Sequence, residues 1–253
     1  VAVFDTAFHQ TLPSKAYMYA LPYELYKKHA IRRYGFHGTS HAFVSEKAME
    51  LMNNPNAKII TCHLGNGSSI AAIDAGKSID TSMGMTPLAG VPMGTRCGDI
   101  DPAVVTYLSE HENLAPAEID NLMNKKSGFF GVSGVSSDCR DLQTAADEGN
   151  ARAELALRMF CYNCSKYIGA YTAALGGVDA IVFTAGIGEN TPRLREDMLS
   201  KLGYLGVELD HELNCGKIGD YQLISTENSK VKVYVIRTNE ELKIAQETAA
   251  LKG

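Results

Sequence analysis

Two tight turns in succession constrain the fold of this chain more than any other sequence feature. The first turn, Gly65-Asn66-Gly67, separates the strand-like runs 58–64 and 68–73. The second, Asp74-Ala75-Gly76, leads into a third run over 77–82. Gly and Asn are favoured in short hairpin loops because such loops need positive φ angles. The pattern therefore predicts a three-stranded antiparallel meander.

Helical periodicity and two further strands follow the meander. A helix over 151–175 is predicted to bury one face, which carries Leu157, Phe160, Cys164, Tyr167, Tyr171 and Leu175. The other predicted elements are helices over 42–52, 102–110, 116–124 and 240–251 and strands over 179–184 and 231–236. Meander, helices and then strand–helix units predict an α/β domain with a mixed sheet flanked by helices.

The composition narrows the class of protein. The 253 residues are 45% hydrophobic and 21% charged, as in ordinary globular domains. A net charge of −5, without a run of Lys and Arg, gives no electrostatic footprint for nucleic acid. No apolar stretch approaches the length of a membrane span, and no basic-then-apolar leader opens the chain. We therefore expect a cytoplasmic protein that binds neither nucleic acid nor membrane.

Two further expectations concern the start of the chain and its six cysteines. Residues 1–4 are predicted to form a strand that runs into Asp5, which suggests a fragment of a longer protein. The cysteines are too sparse for a disulfide framework. Cys161 and Cys164 are a close pair without a second pair for zinc, so we expect buried, reduced thiols.

A glycine-rich segment over 185–190 follows the predicted strand 179–184. Thr191 and Pro192 then read as a helix start with a capping hydroxyl and a proline in the first turn. The dinucleotide fingerprint needs a glycine where Thr191 stands, and a Walker A loop needs a Lys-Ser/Thr ending. Two interpretations stay open: contact with a nucleotide at a helix N-terminus, or a plain strand-to-helix turn.

The first turn of the meander also has two interpretations. Asn66-Gly67 suffices for a type I′ hairpin without any function. Alternatively, backbone N–H groups of 63–69 and the hydroxyls of Ser68 and Ser69 face a phosphate.

Arg96 and His37 are the side chains best suited to a transferring phosphoryl group. Arg96 lies in a loop between small residues, and its guanidinium is planar, always charged and bidentate. A surface arginine is the alternative. His37 lies between Gly35 and Gly38, where its ring can approach a substrate. His37 and His41 also have a metal-ligand spacing, but Gly38 disfavours a continuous helix through them, so zinc is not favoured.

Two polar segments complete the candidate site. Residues 137–141 are predicted to form a loop that offers Asp138 and Arg140 to a nucleoside or to each other. Thr238 and Glu241 have the spacing of a capping box. That spacing leaves Glu240 free to act on a metal through water, or to lie in the first turn without a function.

Taken in order, seven blocks of sequence resemble the acetate kinase family. They are residues 4–9, 35–41, 63–67, 81–84, 93–96, 186–190 and 238–241. The family belongs to the acetate and sugar kinase, heat-shock chaperone and actin superfamily. The resemblance implies a ribonuclease H-like (actin-like ATPase) domain over 51–253. It also implies an interdomain segment over 1–50 that carries catalytic residues, and the absence of the family's N-terminal domain.

The resemblance implies direct in-line phosphoryl transfer from ATP to acetate, with Mg²⁺, to give acetyl phosphate and ADP. Asp5, His37 and Arg96 are implied to be catalytic. Glu240 is implied to bind Mg²⁺, and Phe36 and Pro87 to line the pocket for the substrate methyl group. The implied nucleotide-binding residues are His63, Leu64, Gly65, Asn66, Gly67, Asp138, Cys139, Arg140, Gly186, Ile187, Gly188, Glu189 and Asn190. The family further implies a homodimer.

Two alternatives stay open at this point. Propionate or butyrate kinase is the nearer one, since one methylene in an apolar pocket is worth only about 1–3 kcal/mol. The other is a non-catalytic nucleotide-binding and dimerisation module, against which the presence of Asp5, His37 and Arg96 argues. The missing N-terminal domain is expected to supply an Asn, a phosphate loop and an arginine, so the chain by itself is expected to lack part of the site.

Overall fold

A six-stranded mixed sheet forms the centre of the fold. The computed structural model describes residues 2–250 of the 253. The strands are β1 (Lys58–Leu64), β2 (Ser68–Asp74), β3 (Lys77–Thr81), β4 (Ala180–Thr184), β5 (Tyr221–Leu223) and β6 (Lys232–Ile236). Their order in the sheet is β3-β2-β1-β4-β6-β5. β1, β2 and β3 form the predicted antiparallel meander, whereas β4 runs parallel to β1 and β6 runs parallel to β4. The expected α/β class with a mixed sheet is confirmed.

Helices cover both faces of this sheet. They are α1 (Ser14–Tyr17), α2 (Tyr23–His29), α3 (Gly38–Met52), α4 (Ala103–His111), α5 (Pro116–Lys125), α6 (Gly128–Ser133), α7 (Cys139–Asp147), α8 (Ala151–Leu175), α9 (Ala185–Asn190), α10 (Pro192–Leu199), α11 (His211–Cys215) and α12 (Glu240–Ala250). Two short 3₁₀ helices span Ala7–Thr11 and Gly203–Leu205. The predicted bounds of α8 are confirmed, and residue 251 of the last predicted helix lies outside the described residues.

Successive side chains of β1 point to opposite faces of the sheet, and each face is covered by its own layer of apolar side chains. Ile60, Cys62 and Leu64 pack into the larger apolar cluster, which includes the buried face of α8. Ile59 belongs to the smaller cluster beneath α3. Because both faces are covered, all but the first residue of β1 are buried. The predicted face of α8 is buried except at Tyr167, which is half-buried and donates its hydroxyl proton to a carboxylate of the loop before α4.

The cysteine expectation also agrees with the packing of α8. Cys161 and Cys164 are both buried, and neither forms a disulfide. Burial raises the pKa of both thiols, so they remain protonated.

The start of the chain differs from its prediction. Residues 2–4 form no strand, and residue 1 lies outside the described residues. Helix α3 begins at Gly38, four residues before its predicted start. The reason is a distant cap: the Asp5 carboxylate accepts a hydrogen bond from the His37 N–H at 2.7 Å, and the Asp5 carbonyl accepts one from the Gly38 N–H at 2.8 Å.

The two turns of the meander have different geometries. Ala75 and Gly76 have φ angles of 47° and 76°, as a type I′ hairpin requires. The type I′ prediction for the first turn is wrong, because neither Asn66 nor Gly67 has a positive φ. That turn is held instead by the Gly65 N–H, which donates to the Gly67 carbonyl at 3.1 Å, and by the Ser68 hydroxyl, which donates to the Gly65 carbonyl at 2.9 Å.

Four predictions about the ends of helices need correction. The segment 185–190 is the short helix α9 rather than a plain strand-to-helix turn, and Thr191 makes no capping hydrogen bond to α10. Within the predicted loop 137–141, Asp138 caps α7, which begins at Cys139. Asn239 caps α12 through the Leu242 N–H at 2.9 Å, so the Thr238 and Glu241 capping box is not formed.

Candidate active site

The candidate site lies at one edge of the sheet. Strands β1, β4 and β6 are parallel, so their carboxyl ends meet at the same edge. The turn 65–67 follows β1, α9 follows β4, and residues 237–239 follow β6. Ligands of open α/β sheets bind at this edge.

Asp5 and His37 are brought together at the start of α3. His37 has a φ of 56°, and its N–H points to the Asp5 carboxylate. A Cβ at Gly38 would overlap the Asp5 carbonyl, so only glycine allows this close approach. Asp5 is exposed and therefore accessible to a ligand.

His37 and His63 form a stacked pair of imidazoles. Their ring centroids are 4.1 Å apart with planes 19° from parallel. His37 Nδ1 lies 2.8 Å from Ser69 Oγ, and His63 Nδ1 lies 2.8 Å from Ser40 Oγ. Burial lowers the pKa of His37, the Asp5 carboxylate opposes this shift, and Arg96 adds to it. Both rings are therefore neutral at pH 7, since burial also lowers the pKa of His63 to about 3.

The hydroxyls of Ser68 and Ser69 do not face a phosphate. The Ser68 hydroxyl is used within the turn, and the Ser69 hydroxyl contacts two histidines. Both serines are fully buried. The interpretation that gave these hydroxyls to a phosphate is therefore wrong, although the turn itself stays at the site.

Arg96 approaches His37 across the turn. A Cβ on Gly67 would lie 3.4 Å from Arg96 Nη1 and 3.5 Å from His37 Nε2, so both groups converge on this glycine. Arg96 is half-buried, and its Nη1 donates to the Pro87 carbonyl at 3.1 Å. Among residues 2–250 no carboxylate forms an ion pair with it. Its charge is thus available to an anion.

The loop that carries Arg96 is docked on the same turn through Gly94. The Gly94 N–H donates to the Asn66 carbonyl at 3.2 Å, and a Cβ on Gly94 would overlap Asn66 Oδ1. Glycine at this position therefore sets how closely the two loops approach.

Gly94→Ala is expected to destabilise the chain by about 1–3 kcal/mol, because the added methyl must displace Asn66 or its loop. The free energy of unfolding in urea measures this change. The matched control is Gly219→Ala, since a Cβ on Gly219 meets no atom within 4 Å. Equal stability of the two variants would contradict the close docking of the loops.

A cavity of about 550 Å³ lies beside the turn. This volume is within the range of small-molecule sites. The cavity is lined by Gly65, Asn66, Ser137, Asp138, Cys139, Arg140, Gln143, Gly186, Ile187, Asn190 and Thr191. Three of the segments implied to bind nucleotide therefore meet here, although they lie far apart in sequence. Ser137, Gln143 and Thr191 were not predicted to be binding residues: Ser137 and Thr191 border predicted segments, and no local motif marks Gln143.

Five of the residues implied to bind nucleotide lie away from the cavity wall. His63 stacks on His37, and Leu64 is buried in the larger apolar cluster. Gly67 faces Arg96, and Gly188 packs against the backbone of β4. The Glu189 carboxylate accepts hydrogen bonds from the N–H groups of Ala185 at 2.9 Å and Thr238 at 3.3 Å, which joins the ends of β4 and β6.

Asp138 and Arg140 are paired at the rim of the cavity. Arg140 Nη2 lies 2.6 Å from Asp138 Oδ2, and the Arg140 N–H donates to Asp138 Oδ1 at 2.8 Å. The Arg140 side chain holds the pKa of Asp138 down to about 2. The pairing that the sequence left as an alternative is thus present, and both groups still border the cavity.

Glu240 lies within electrostatic reach of Asp5. Burial raises the pKa of Glu240, and the negative charge of Asp5 raises it further. Two carboxylates that repel each other fit a Mg²⁺ site, because this ion is bound by one or two carboxylates together with phosphate oxygens and waters. Within 2–250 no group of three or more His, Cys, Asp or Glu is arranged to hold a metal by itself. The donor set therefore fits Mg²⁺ held jointly with a phosphate.

Phe36 and Pro87 are both half-buried and both have contacts to the site. The Phe36 carbonyl accepts a hydrogen bond from His9 Nε2 at 2.9 Å, and the Pro87 carbonyl accepts one from Arg96. Their backbones are therefore fixed beside the catalytic candidates.

Buried histidines make the stability of this region depend on pH. Burial lowers the pKa of His9 to about 4, opposed by Asp5, and that of His63 to about 3. Below their ordinary value of 6.5 the unfolded chain binds protons that the folded chain does not. The free energy of unfolding is therefore expected to fall by up to about 1.4 kcal/mol per pH unit for each ring between pH 6.5 and pH 4.

Urea unfolding across this pH range measures the slope. His9→Gln is expected to remove the contribution of one ring, and His29→Gln, a surface histidine, is the control. An unchanged slope in His9→Gln would contradict the assignment of a buried neutral imidazole.

The fold defines the class of this protein: a ribonuclease H-like domain of the actin-like ATPase type, with a six-stranded mixed sheet flanked by helices. The sequence model of the acetokinase family matches residues 1–246. The chain belongs to the acetokinase family.

Individual relatives agree with this membership. Acetate kinase from Halothermothrix orenii is 61% identical over 253 residues, which cover 99% of this chain and 63% of that protein. The crystal structure of Porphyromonas gingivalis acetate kinase matches with a TM-score of 0.97 and 51% identity, over 99% of this chain and 63% of that one. A propionate kinase from Francisella tularensis matches with a TM-score of 0.92 and 48% identity, over 97% and 62%. The chain thus spans just under two thirds of the length of these relatives.

None of the helices within residues 2–250 is both long enough and apolar enough to cross a membrane.

Proposed function

We propose that this chain is part of an acetate kinase, which transfers a phosphoryl group between ATP and acetate to give acetyl phosphate and ADP. One observation carries the proposal: the turn 65–67 belongs to both halves of the site. Gly65 and Asn66 line the cavity, whereas Gly67 lies against Arg96 and His37. A nucleotide in the cavity would thus direct its terminal phosphate to these two side chains.

Two parts of the chain have different proposed roles. Residues 1–50 form an interdomain segment that carries Asp5 and His37, and residues 51–253 form the nucleotide-binding domain. Because the relatives extend beyond the matched length, the rest of the family's sequence would complete the acetate side of the cleft. The chain alone is therefore expected to bind nucleotide and to lack turnover.

The chemistry follows from how these side chains are held. In-line phosphoryl transfer needs positioning and stabilisation of charge on the equatorial oxygens rather than a covalent intermediate. Arg96 supplies a guanidinium without a carboxylate partner among residues 2–250, and the neutral ring of His37 supplies Nε2, which converges with Arg96 on Gly67. Asp5 orients His37 through its backbone N–H.

Asp5 and Glu240 are the residues that would hold Mg²⁺ with the nucleotide. Bound there, the ion would neutralise charge on the phosphate oxygens. The raised pKa of Glu240, which burial and Asp5 cause, supports this role, since a cation relieves the repulsion.

A second candidate substrate is propionate, because the chain is 48% identical to a propionate kinase. Phe36 and Pro87 are proposed to bound the pocket for the alkyl group. One additional methylene changes binding by about 1–3 kcal/mol, so the ratio of kcat/KM for acetate and propionate decides between the two. We propose acetate as the preferred substrate.

The test of the nucleotide half uses the chain by itself. Calorimetric titration with MgADP is expected to give one site per chain. Gly186→Phe is expected to abolish binding, because Gly186 lines the cavity and a Cβ there meets no atom within 4 Å, so the ring can enter. Gly219→Phe on the surface is the control. Equal ADP binding in both variants would contradict the assignment of the cavity.

Tests of turnover use a completed chain: these 253 residues preceded by the N-terminal part of the Halothermothrix orenii acetate kinase. Acetate-dependent formation of ADP from MgATP is the expected activity. Binding of ADP without any turnover would instead favour a non-catalytic nucleotide-binding and dimerisation module. The proposal also includes a cytoplasmic location. It includes a homodimer as well, which sedimentation of the completed chain would test.

A further inference from the structure

A chain of buried hydrogen bonds leads from the sheet to His37. Thr61 Oγ1 lies 2.7 Å from His41 Nδ1. His41 Nε2 lies 2.7 Å from Ser69 Oγ, which lies 2.8 Å from His37 Nδ1. Thr61, His41 and Ser69 have no exposed surface. Nε2 of His37 is the ring nitrogen outside this chain, and it faces Gly67 at the site.

The protons in this chain must all point the same way. Each hydroxyl has one proton, and each neutral imidazole has one N–H. If Thr61 donates to His41, then His41 donates to Ser69, and Ser69 donates to His37 Nδ1. In the reverse arrangement His37 Nδ1 donates and Thr61 accepts at the far end. The first arrangement leaves the proton of His37 on Nε2, and the second leaves a lone pair there.

The far end of the chain decides between the two arrangements. Among residues 2–250, His41 Nδ1 is the sole hydrogen-bond partner of the Thr61 hydroxyl. In the reverse arrangement the proton of this fully buried hydroxyl would have no acceptor, which is unfavourable. In the first arrangement the protons of Thr61, His41 and Ser69 all have acceptors, and the His37 proton on Nε2 is left for a ligand.

We propose that Thr61, His41 and Ser69 are positioning residues that hold His37 in the tautomer with its proton on Nε2, so that His37 presents an N–H donor to the transferring phosphoryl group. This inference rests on the proposed function for the identity of the acceptor. Burial lowers the pKa of His41, so this fully enclosed ring is neutral and has a defined tautomer.

A separate pair of hydroxyls gives His63 the same tautomer. The Thr238 hydroxyl donates to Ser40 Oγ at 2.8 Å, which directs the Ser40 proton to His63 Nδ1. The stacked rings of His37 and His63 therefore both carry their protons on Nε2. The hydroxyl groups hydrogen-bonded towards His37 and those hydrogen-bonded towards His63 therefore favour the same tautomer in both rings.

Nitrogen NMR of the 253-residue chain, labelled with ¹⁵N-histidine, tests the tautomer directly, because protonated and unprotonated ring nitrogens differ strongly in shift. His37 and His41 are expected to have a protonated Nε2 and an unprotonated Nδ1. A protonated Nδ1 on His37 would overturn the proposal, and this measurement needs no variant. Thr61→Val is expected to give mixed tautomers in both rings, and Thr61→Ser to restore them.

The matched control removes a hydroxyl from a different buried histidine. His9 Nδ1 lies 2.8 Å from Ser78 Oγ, but His9 Nε2 donates to the Phe36 carbonyl, which fixes its tautomer without Ser78. Ser78→Ala is therefore expected to leave the tautomers of His9, His37 and His41 unchanged. Unchanged tautomers in Thr61→Val as well would overturn the role of the chain.

Turnover separates this inference from the proposed function. In the completed chain, Thr61→Val is expected to lower kcat about tenfold with an unchanged KM for ATP, since a histidine in the wrong tautomer loses much of its catalytic effect. Thr61→Ser is expected to restore kcat. A wild-type completed chain without kinase activity would overturn the proposed function alone, whereas a protonated Nδ1 on His37 would overturn the positioning chain alone.

Discussion

Arg96→Ala is expected to lower kcat of the completed chain by about 10³-fold or more while KM for ATP changes little. Arg96 borders the turn between the nucleotide cavity and His37, and within 2–250 it has no carboxylate partner. A contact that forms mainly in the transition state affects kcat rather than ground-state binding. Steady-state kinetics with ATP and acetate each varied would measure the effect.

Two further variants test whether the effect is specific to the guanidinium of Arg96. Arg96→Lys keeps the charge but loses the planar fork, so it is expected to recover only part of the rate. Arg140→Ala removes an arginine from the rim of the cavity and is expected to raise KM for ATP with little change in kcat. If Arg96→Ala weakened ATP binding and left kcat intact, Arg96 would belong to the nucleotide site instead.

Asp5→Asn is expected to lower kcat by about 10²-fold or more and to raise the Mg²⁺ concentration needed for half-maximal rate. The amide oxygen can still accept the hydrogen bond from the His37 N–H, so the start of α3 is preserved. What is lost is the negative charge that faces Glu240. Because that charge raises the pKa of Glu240, the variant is also expected to lower this pKa, which a carboxyl NMR titration follows.

Glu110→Gln is the matched control for charge, since it neutralises an exposed carboxylate on α4. It is expected to leave the Mg²⁺ dependence unchanged. If Asp5→Asn behaved like this control, Asp5 would be a structural cap of α3 and would have no part in catalysis.

Local patterns predicted the elements that local chemistry determines. The long helix α8 was predicted at its observed bounds because its apolar periodicity and flanking turn residues coincide. The turn at Ala75-Gly76 has the positive φ angles that its composition favours. The start of α3 was missed because its cap, Asp5, lies 32 residues before His37. No local pattern carries such a contact.

The sequence indicated which segments belong to the site, but it did not indicate how these segments contact one another. The family resemblance implied the segments 63–67, 138–140 and 186–190, and all three meet at one cavity. Gln143 was missed because only its place one turn after Cys139 on α7 brings it to the wall.

The hydroxyl–histidine contacts had one signal in the sequence. Thr61 and His63 alternate with apolar residues along β1, so both face α3. Polar residues at a period of two in a buried strand indicate partners on the covering helix, here His41 and Ser40. From the sequence, the spacing of His37 and His41 raised a metal site, which Gly38 disfavoured, and this spacing gave no indication of these hydroxyl partners.

The divided active site is tested most directly by the formation of acetyl phosphate from MgATP and acetate, trapped as the hydroxamate. We expect product from the completed chain and none from the 253 residues alone, because the chain spans 63% of the length of the Halothermothrix orenii enzyme. Product from the 253 residues alone would contradict the divided site. Absence of product from the completed chain, in an assay where the Halothermothrix orenii enzyme is active, would contradict the proposed acetate kinase activity.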